Sequence, residues 1–262
     1  MDGLTRQGYL AHYASAGCQS RIAAARDVIR DHPGYALSTS WGKDSVAALI
    51  LAVSVHPDLV LLNARYPNPA ERFADMDRVR DAVLAMPAMS RVTYIEVECP
   101  GEWCMYERAG RAFADPETPQ EREAARWWKH GFTTAMRAAQ EAHGCPGVML
   151  GLRQDESRAR RMNIATRGTS YTKADGLQVA LPMARMRGAD VWAVLVRSRA
   201  PWLRIYDVAP DRETARSGFV WSTGAIGAVA RHGGVALWRR AYPDELAAWF
   251  ARWPELKERS YV

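Results

Sequence analysis

Short apolar runs alternate along the chain with segments whose apolar residues recur at helical spacing. The runs predict buried strands, and the spaced segments predict helices. The predicted strands are Tyr35–Thr39, Leu59–Asn63, Val92–Val97 and Val148–Leu152. The predicted helices are 19–31, Val46–Val55, Ala70–Met86, 119–142 and Ala189–Arg199, followed by an amphipathic tail over Asp244–Arg259. Strands that alternate with helices predict an α/β fold, a parallel twisted sheet with helices on both faces.

The alternation of predicted strands and helices ends at Leu181. A predicted turn, a helix and a bend at Pro201 follow it. We therefore expect residues 1–180 to form the α/β domain and residues 181–262 to form a mostly helical C-terminal cap packed on it. Ligands of parallel sheets bind at the carboxyl ends of the strands. The segments after Thr39, Asn63 and Leu152 all begin at such ends, so we expect them to converge on one cleft.

The first of these segments, "ALSTSWGKDSVAALIL" (36–51), contains a Gly-Lys pair but not a Walker loop. That loop needs a glycine and a hydroxyl where this chain has Leu37 and Asp44. Small residues nevertheless follow a strand and precede an apolar helix, so backbone N–H groups and the positive end of the helix can meet a phosphate. Lys43 adds positive charge, and Asp44 could cap the helix or help to hold a hydrated metal ion. The alternative is a serine-rich turn that caps a core helix.

The second segment, "GLRQDESRARR", follows the fourth predicted strand. Gly151 allows close backbone approach, and four arginines follow within a few residues. Arg153 and Arg160 are seven positions apart and would share a face if the segment were helical. Glu156 and Ser157 could orient an arginine or contact a ribose or base. A solvated basic helix start is the alternative, and the position at a strand end favours a phosphate clamp.

Composition narrows the class of protein without selecting a function. Hydrophobic residues make up 48% of the 262 residues, which predicts a folded chain. No apolar stretch approaches the roughly 20 residues that a membrane span needs, and the N-terminus does not resemble a signal peptide. We therefore expect a cytoplasmic protein without a membrane partner. The net charge of +6 suits a nucleic acid or a polyanionic small substrate equally.

The four cysteines show no paired spacing. Cys18, Cys99, Cys104 and Cys145 are predicted to be reduced structural thiols, with no metal site and no iron–sulfur cluster. The ten tryptophans could stack on nucleic-acid bases, but core packing is the favoured interpretation.

Three stretches resemble one family in its own order. "SWGKDS" resembles the S-G-G-K-D-S loop of the PP-loop ATP pyrophosphatase superfamily, with Trp41 in place of the first glycine. "GLRQDESRAR" is similar to the arginine segment of the phosphoadenosine phosphosulfate (PAPS) reductase branch of that superfamily. "LPMARMRGADVWAVL" and "PWLRIYD" resemble the later part of the same branch. The resemblance covers roughly residues 35–210 and implies an adenine nucleotide α-hydrolase-like, Rossmann-like fold.

The resemblance, together with the positions at strand ends, predicts the site residues. The expected catalytic residues are Lys43, Asp44, Arg153 and Arg160. The expected nucleotide-binding residues are Ser38, Ser40, Trp41, Gly42, Ser45, Asn63, Gly151, Glu156 and Ser157. The implied ligands are ATP or another adenine nucleotide, Mg²⁺ and an unidentified acceptor. Nucleic acid and an oligomeric state are left open.

The chain departs from the reductases in its thiols. A PAPS reductase needs a cysteine near its C-terminus as nucleophile, but the last cysteine here is Cys145. Where relatives carry R-x-G-C-x-x-C, this chain has Arg216, Gly218 and Phe219, followed by Trp221 and Ser222. We therefore favour an enzyme that cleaves ATP between the α- and β-phosphates and adenylates an acceptor. The alternatives are a sulfonucleotide reductase that uses Cys99 or Cys104, and a nucleic-acid-modifying enzyme.

Overall fold

The computed structural model describes residues 3–68, 71, 74–113, 116–209, 212 and 234–258. The strands are β1 (Ala36–Thr39), β2 (Val60–Arg65), β3 (Thr93–Glu98), β4 (Gly147–Leu150), β5 (Ser170–Thr172) and β6 (Gln178–Ala180). The helices up to the middle of the chain are α1 (Gly3–Ala14), α2 (Ala16–Arg30), α3 (Lys43–Val53), α4 (Ala74–Leu84), α5 (Glu102–Ala109) and α6 (Pro119–Ala142). The later helices are α7 (Arg158–Arg167), α8 (Gly188–Ser198), α9 (Ile205–Val208), α10 (Gly234–Ala241), α11 (Pro243–Arg252) and α12 (Glu255–Glu258).

The six strands form one sheet in the order β3-β2-β1-β4-β6-β5. Every neighbouring pair is parallel except β5 and β6, which are antiparallel. The predicted α/β fold with a parallel sheet is therefore confirmed, and β5 adds an antiparallel edge strand that the sequence did not predict. The two strands are three residues long, too short for an alternating pattern to show. A turn closed by the Gly176 N–H and the Lys173 carbonyl joins them.

The chain order reverses between β1 and β4. From β1 the chain builds outward through β2 and β3, and it then returns to add β4 on the other side of β1. The register sets Thr39 beside Asn63 and Ser38 beside Leu150. Such a topological switch point opens a crevice beyond the carboxyl ends of the two strands. The segments that follow β1 and β4 both start there.

Side chains along a strand point alternately to the two faces of the sheet, and on the inner strands β2, β1, β4 and β6 both faces carry buried residues. Leu37, Leu61 and Met149 point into the main core, which also contains α3, α4 and α8. Their neighbours Ala36 and Leu62 pack on the other face against apolar side chains of α6. On that same face, β4 and β6 meet α7 in a smaller apolar cluster. The sheet is thus a rigid support for loops at its carboxyl edge.

Several helices were not predicted from the sequence. Helix α1 packs on α8 far along the chain, and His12 Nε2 lies 2.8 Å from Asp190 Oδ1. The guanidinium group of Arg21 also donates two hydrogen bonds to the fully buried Asp190. Helices α5, α7 and α9 are likewise additions. The helix predicted over Ala70–Met86 is described as α4 from Ala74 onward.

The C-terminal helices pack into the main core through tryptophans. The rings of Trp249 and Trp253 meet Trp103 of α5 edge-to-face, at centroid distances of 5.1 and 5.8 Å. Trp238 is also buried. The core interpretation therefore holds for these side chains, whereas Trp127 is exposed. The domain division near residue 180 stays a prediction.

The segment from Arg216 to Ser222, where the cysteine pair of the resemblance is replaced, lies outside the described residues. None of the described helices combines the length and the apolar character that a membrane crossing requires.

Candidate functional site

The loop after β1 presents the start of α3 to the crevice. Gly42 is the N-cap of α3, and the Lys43 N–H donates to the Tyr206 hydroxyl at 3.2 Å. The next two N–H groups, of Asp44 and Ser45, have no acceptor within the described part of the chain. The first N–H groups of any helix lack intrahelical partners, and they carry the positive end of the helix dipole. They are suitable donors to an anion.

The hydroxyl groups of the loop shape the loop itself. Ser45 Oγ donates to the Gly42 carbonyl at 2.9 Å and accepts from the Ser40 N–H at 3.3 Å. Thr39 Oγ1 accepts from the Trp41 N–H at 3.2 Å. Ser38 remains inside β1, between Leu62 and Leu150 of the neighbouring strands. Of the serines expected at this site, Ser45 therefore holds the loop backbone in place through its hydroxyl group, and Ser40 takes part through its backbone N–H.

Trp41 has a left-handed backbone, with φ of 57°. A side chain in this region costs about 1–2 kcal/mol, whereas glycine adopts it freely. The ring is 1% exposed and meets Tyr94 edge-to-face at 5.7 Å. Burial of an aromatic ring contributes more than this backbone cost. Trp41 thus keeps a glycine-like turn while its side chain anchors the loop in the core.

The segments after β1 and β4 are in direct contact. Arg153 Nε donates to Asp44 Oδ1 at 2.5 Å. A Cβ atom on Gly151 would lie 3.3 Å from backbone atoms of Asp44 and Ser45, closer than most such contacts. Glycine therefore allows the backbone approach that the sequence suggested. The two motifs meet at one place, beyond the switch point of the sheet.

Buried charges connect these segments in a chain. Lys43 Nζ lies 2.7 Å from Asp44 Oδ2, and an Nη atom of Arg153 contacts both oxygens of Asp155 at 2.6 and 2.7 Å. Lys43 and Arg153 are each 1% exposed. Burial lowers the pKa of Lys43, although Asp44 opposes that effect. Burial would also lower the pKa of Arg153, but Asp44 and Asp155 outweigh it and raise that pKa.

Arg153 and Arg160 do not share a helical face, and that expectation was wrong. Ser157 is the N-cap of α7 and accepts the Arg160 N–H at 3.2 Å, so the helix starts only at Arg158. Arg153 lies in the preceding turn. The two arginines meet through Glu156 instead, whose carboxylate accepts from the Arg153 N–H at 2.9 Å and pairs with the Arg160 guanidinium.

Asn63 joins the site from the carboxyl end of β2. Its amide donates to the Thr39 carbonyl at 2.9 Å, and its oxygen accepts from the Tyr94 hydroxyl at 3.2 Å. These bonds fix the end of β1 just before the loop. In the described structure Asn63 therefore positions the strand that carries the loop.

Two residues of the site were not singled out from the sequence. Tyr206 accepts the Lys43 N–H, and its ring centroid lies 5.4 Å from Lys43 Nζ. It is the tyrosine of the "YD" stretch, so the resemblance carried a signal for it. Asp155 links Arg153 to the start of α8, where it accepts the Gly188 N–H at 3.0 Å. Only the folded chain brings Asp155 and α8 together.

The cysteines are poorly suited to act as nucleophiles. Burial raises the pKa of Cys99 to about 11, and it also raises the pKa of Cys104. A nucleophilic cysteine needs a lowered pKa, because the thiolate is the reactive form. This opposes the reductase alternative.

Cys18 belongs to a possible metal-ligand cluster in the described chain. His12, Cys18 and Asp190 place their ligand atoms within 4.8 Å of one another. Burial would raise the pKa of Asp190, but hydrogen bonds from Arg21, the Arg187 N–H and His12 lower it to about 2. Both carboxylate oxygens of Asp190 therefore already accept hydrogen bonds from the protein. We interpret the cluster as a structural link between α1, α2 and α8.

Comparison with known proteins supports this assignment of the fold. The family model of the phosphoadenosine phosphosulfate reductase domain matches residues 34–212. The crystal structure of PAPS reductase from Candida auris, a phosphate complex, is 14% identical with a TM-score of 0.50, over 70% of this chain and 84% of that one. This similarity concerns the fold alone. A search of curated protein sequences finds no match.

Two further solved structures are similar at lower scores. NMN synthetase from Francisella tularensis is 13% identical with a TM-score of 0.48, over 76% of this chain and 78% of that one. A U34-tRNA thiolase from Methanococcus maripaludis, solved with its 4Fe–4S cluster, is 12% identical with a TM-score of 0.49, over 84% and 77%. The family match covers more than half of the chain. The chain belongs to the phosphoadenosine phosphosulfate reductase domain family, within the PP-loop adenine nucleotide α-hydrolase-like superfamily.

Proposed function

We propose that the protein binds an adenine nucleotide, ATP in the first instance, with its phosphates at the start of α3. We further propose that it is an enzyme that cleaves the bond between the α- and β-phosphates and transfers AMP to an acceptor. One observation carries the proposal: the loop after β1 and the segment after β4 meet at the switch point, beside two helix-start N–H groups that have no acceptor in the described structure. Family membership supports the same ligand class.

The charges of the site define what each residue would contribute. Three cations, Lys43, Arg153 and Arg160, face three carboxylates, Asp44, Asp155 and Glu156. The site is therefore not a simple excess of positive charge, and the N–H groups of Asp44 and Ser45 would supply the first attraction for a phosphate.

Lys43 would stabilise the departing pyrophosphate. In the reaction, an acceptor oxygen would form a bond to the α-phosphorus. The bond between the α-phosphorus and the oxygen that bridges it to the β-phosphate would break, so negative charge would grow on the departing pyrophosphate. Lys43 Nζ is next to the helix start and is held by Asp44, which makes it the cation placed to compensate that charge. This is electrostatic stabilisation and needs no protein nucleophile. Arg153 would act as a positioning residue, because it holds Asp44.

Magnesium does not fit the residues as they stand. Asp44, the carboxylate expected to help hold the ion, has one oxygen on Lys43 and the other on Arg153. A divalent cation needs uncommitted oxygen ligands. The roles of Lys43 and Arg153 described above do not depend on a metal ion.

Calorimetric titration with ATP tests the proposal. Lys43→Met removes the ammonium group and keeps most of the side-chain volume, and Lys129→Met makes the same change at an exposed position of α6. We expect the affinity for ATP to fall about tenfold or more in Lys43→Met, since hydrogen bonds to charged groups contribute about 1.5–3 kcal/mol. Lys129→Met should bind as the wild type does. Equal affinities in the two variants would remove Lys43 from the nucleotide site.

Pyrophosphate release tests the reaction itself. The assay is run on wild-type protein with ATP, with and without added single-stranded nucleic acid. Release that requires the nucleic acid would identify the acceptor class, and release without it would indicate a small acceptor or water. ATP binding without any release under either condition would keep the nucleotide site but contradict adenylation of these acceptors.

A further inference from the structure

A cavity opens where the end of α8 meets α1, α4 and the segment 200–207. None of its lining residues belongs to the group formed by Lys43, Asp44, Arg153 and Asp155, which we call the Lys43 site. The cavity has a volume of about 640 Å³, within the range of small-ligand sites. We call it the arginine pocket. Its charged and aromatic lining consists of Arg6, Arg78, Arg199, Trp202, Arg204 and Asp207.

Positive charge dominates this pocket. All four arginines are exposed, and no carboxylate partner of Arg6 or Arg199 is found among the residues that the structure describes. The one acidic residue of the lining, Asp207, accepts hydrogen bonds from Trp202 Nε1 at 3.2 Å and from Arg212 at 2.8 Å. Asp207 is therefore already partly neutralised. The pocket keeps an excess of positive charge.

A buried carboxylate behind the pocket holds two of the arginines in place. Asp75 is 3% exposed, and its Oδ1 accepts from Arg78 Nε at 2.8 Å. Its Oδ2 accepts from the Arg204 N–H at 2.7 Å and from the Tyr242 hydroxyl at 2.8 Å. A second guanidinium nitrogen of Arg78 donates to the Trp202 carbonyl at 2.7 Å. The arrangement of this wall is fixed before any ligand arrives.

The backbone of Arg199 is a separate observation. Arg199 caps the end of α8 in the left-handed region, with φ of 55°. Glycine is the usual residue at such a helix end, and an arginine there costs about 1 kcal/mol. Non-glycine residues in this region occur more often at binding sites than elsewhere. A guanidinium group therefore stands at the pocket at a conformational cost that glycine would avoid.

We propose that the arginine pocket binds a phosphate-bearing nucleotide unit, either a free nucleotide or one unit of a single-stranded nucleic acid. Guanidinium groups match phosphate oxygens with paired hydrogen bonds. Trp202 adds a partly exposed indole to the lining, and aromatic rings are the side chains on which bases stack. The volume suits one nucleotide rather than an extended strand.

Helix α9 connects the arginine pocket with the Lys43 site. Tyr206 accepts the Lys43 N–H, and its neighbour Asp207 lines the arginine pocket. The inference goes beyond the proposed function and does not depend on it, because the pocket has its own residues.

Fluorescence anisotropy of a labelled single-stranded oligonucleotide without a 5′-triphosphate tests the proposal. Arg199→Gly removes the guanidinium group and relieves the backbone, so the variant should fold at least as well as the wild type. We expect its affinity for the oligonucleotide to fall about fivefold or more, as for loss of a phosphate contact. Arg91→Gly, at an exposed position paired with Asp58 outside the pocket, is the matched control and should bind as the wild type does.

Competition with AMP distinguishes the two sources of the nucleotide unit. If AMP displaces the oligonucleotide at a similar concentration, the pocket accepts free nucleotides. If the oligonucleotide binds far more tightly, and more weakly as salt rises, a nucleic-acid strand is the ligand. Absence of binding by both probes would overturn the proposal, as would equal affinities of Arg199→Gly and Arg91→Gly.

The Lys43→Met variant keeps this test separate from that of the proposed function. It should lose ATP affinity and keep oligonucleotide affinity, while Arg199→Gly should show the reverse. Loss of oligonucleotide binding in folded Lys43→Met protein would mean that the pocket is not an independent site.

Discussion

The cationic side chains around Lys43 are buried and paired with carboxylates, whereas those around Arg199 are exposed to solvent. At the Lys43 site the cations of two loops are matched by carboxylates, and Lys43 and Arg153 are buried. In the arginine pocket all four guanidinium groups are exposed; Asp75 contacts those of Arg78 and Arg204, and no carboxylate partner of Arg6 or Arg199 is found among the described residues. A buried cation is tolerated only when it is paired, whereas an exposed one is solvated without a partner. The first arrangement holds two loops together, and the second leaves charge available to an anion.

Loss of Arg153 should have the largest effect on stability. Arg153→Met leaves Asp44 with one of its two cations and Asp155 with none, so we expect the free energy of unfolding to fall by about 3–5 kcal/mol. Arg204→Met, in the arginine pocket, should change it by less than about 1 kcal/mol, because that side chain is exposed. Denaturant unfolding of both variants measures the difference. Similar losses would mean that the two regions are built alike.

Glu71 is a buried carboxylate for which no cationic partner is found among the described residues. It is 6% exposed, one oxygen accepts from the Trp103 N–H at 3.0 Å, and the other has no hydrogen-bond partner within the part of the chain that the structure describes. Burial raises its pKa from 4.5 to about 7. Between these values the unfolded chain loses its proton while the folded chain keeps it, so stability should fall by about 3 kcal/mol as the pH rises through this window.

The pH effect is checked with Glu71→Gln, which cannot ionise. Its unfolding free energy should fall less steeply between about pH 5 and pH 7 than that of the wild type. The exposed Glu123→Gln should keep the wild-type slope. Parallel curves for wild type and Glu71→Gln would contradict the raised pKa.

Gly151→Ala should have a smaller effect that is confined to the contact between the two loops. The added methyl group would lie 3.3 Å from the backbone of Asp44 and Ser45, so one loop must shift. We expect a loss of about 1–2 kcal/mol in stability and weaker ATP binding. Gly8→Ala in α1 is the control, because nothing lies within 4 Å of its added atom. Thermal unfolding and ATP titration of the pair measure both effects.

The smallest effect on stability is expected at Arg199. Arg199→Gly should leave the unfolding free energy unchanged or raise it by up to about 1 kcal/mol, because glycine adopts the left-handed region without strain. Differential scanning calorimetry against Arg91→Gly measures it. A marked loss of stability would show that Arg199 has a structural role, as Arg153 has.

The sequence predicted the parts of the molecule that follow from local pattern. Apolar runs and small residues predict the strands β1 to β4, the loop at Gly42 and the segment at Gly151. The antiparallel β5 is not predicted, because three residues carry no period. The shared helical face of Arg153 and Arg160 was wrong because Ser157 starts α7 after Arg153.

What the sequence could not predict depends on contacts between distant residues. Tyr206 contacts Lys43 although the two residues are 163 positions apart in the sequence. The arginine pocket brings Arg6 and Arg78 together with the segment that carries Arg199 and Arg204. No window along the chain shows these groups together. The pairing of each cation in the Lys43 site is also a property of the folded structure, since the sequence shows only that charges of both signs are nearby.

The central claim is that a nucleotide phosphate binds at the start of α3, between the two loops. The most direct test follows the backbone amide NMR signals of labelled protein during a titration with ATP. We expect the signals of Asp44 and Ser45 to shift first and most, ahead of those of Arg199 and Trp202. Shifts that start at Arg199 and Trp202 while Asp44 and Ser45 stay unchanged at saturating ATP would contradict the claim.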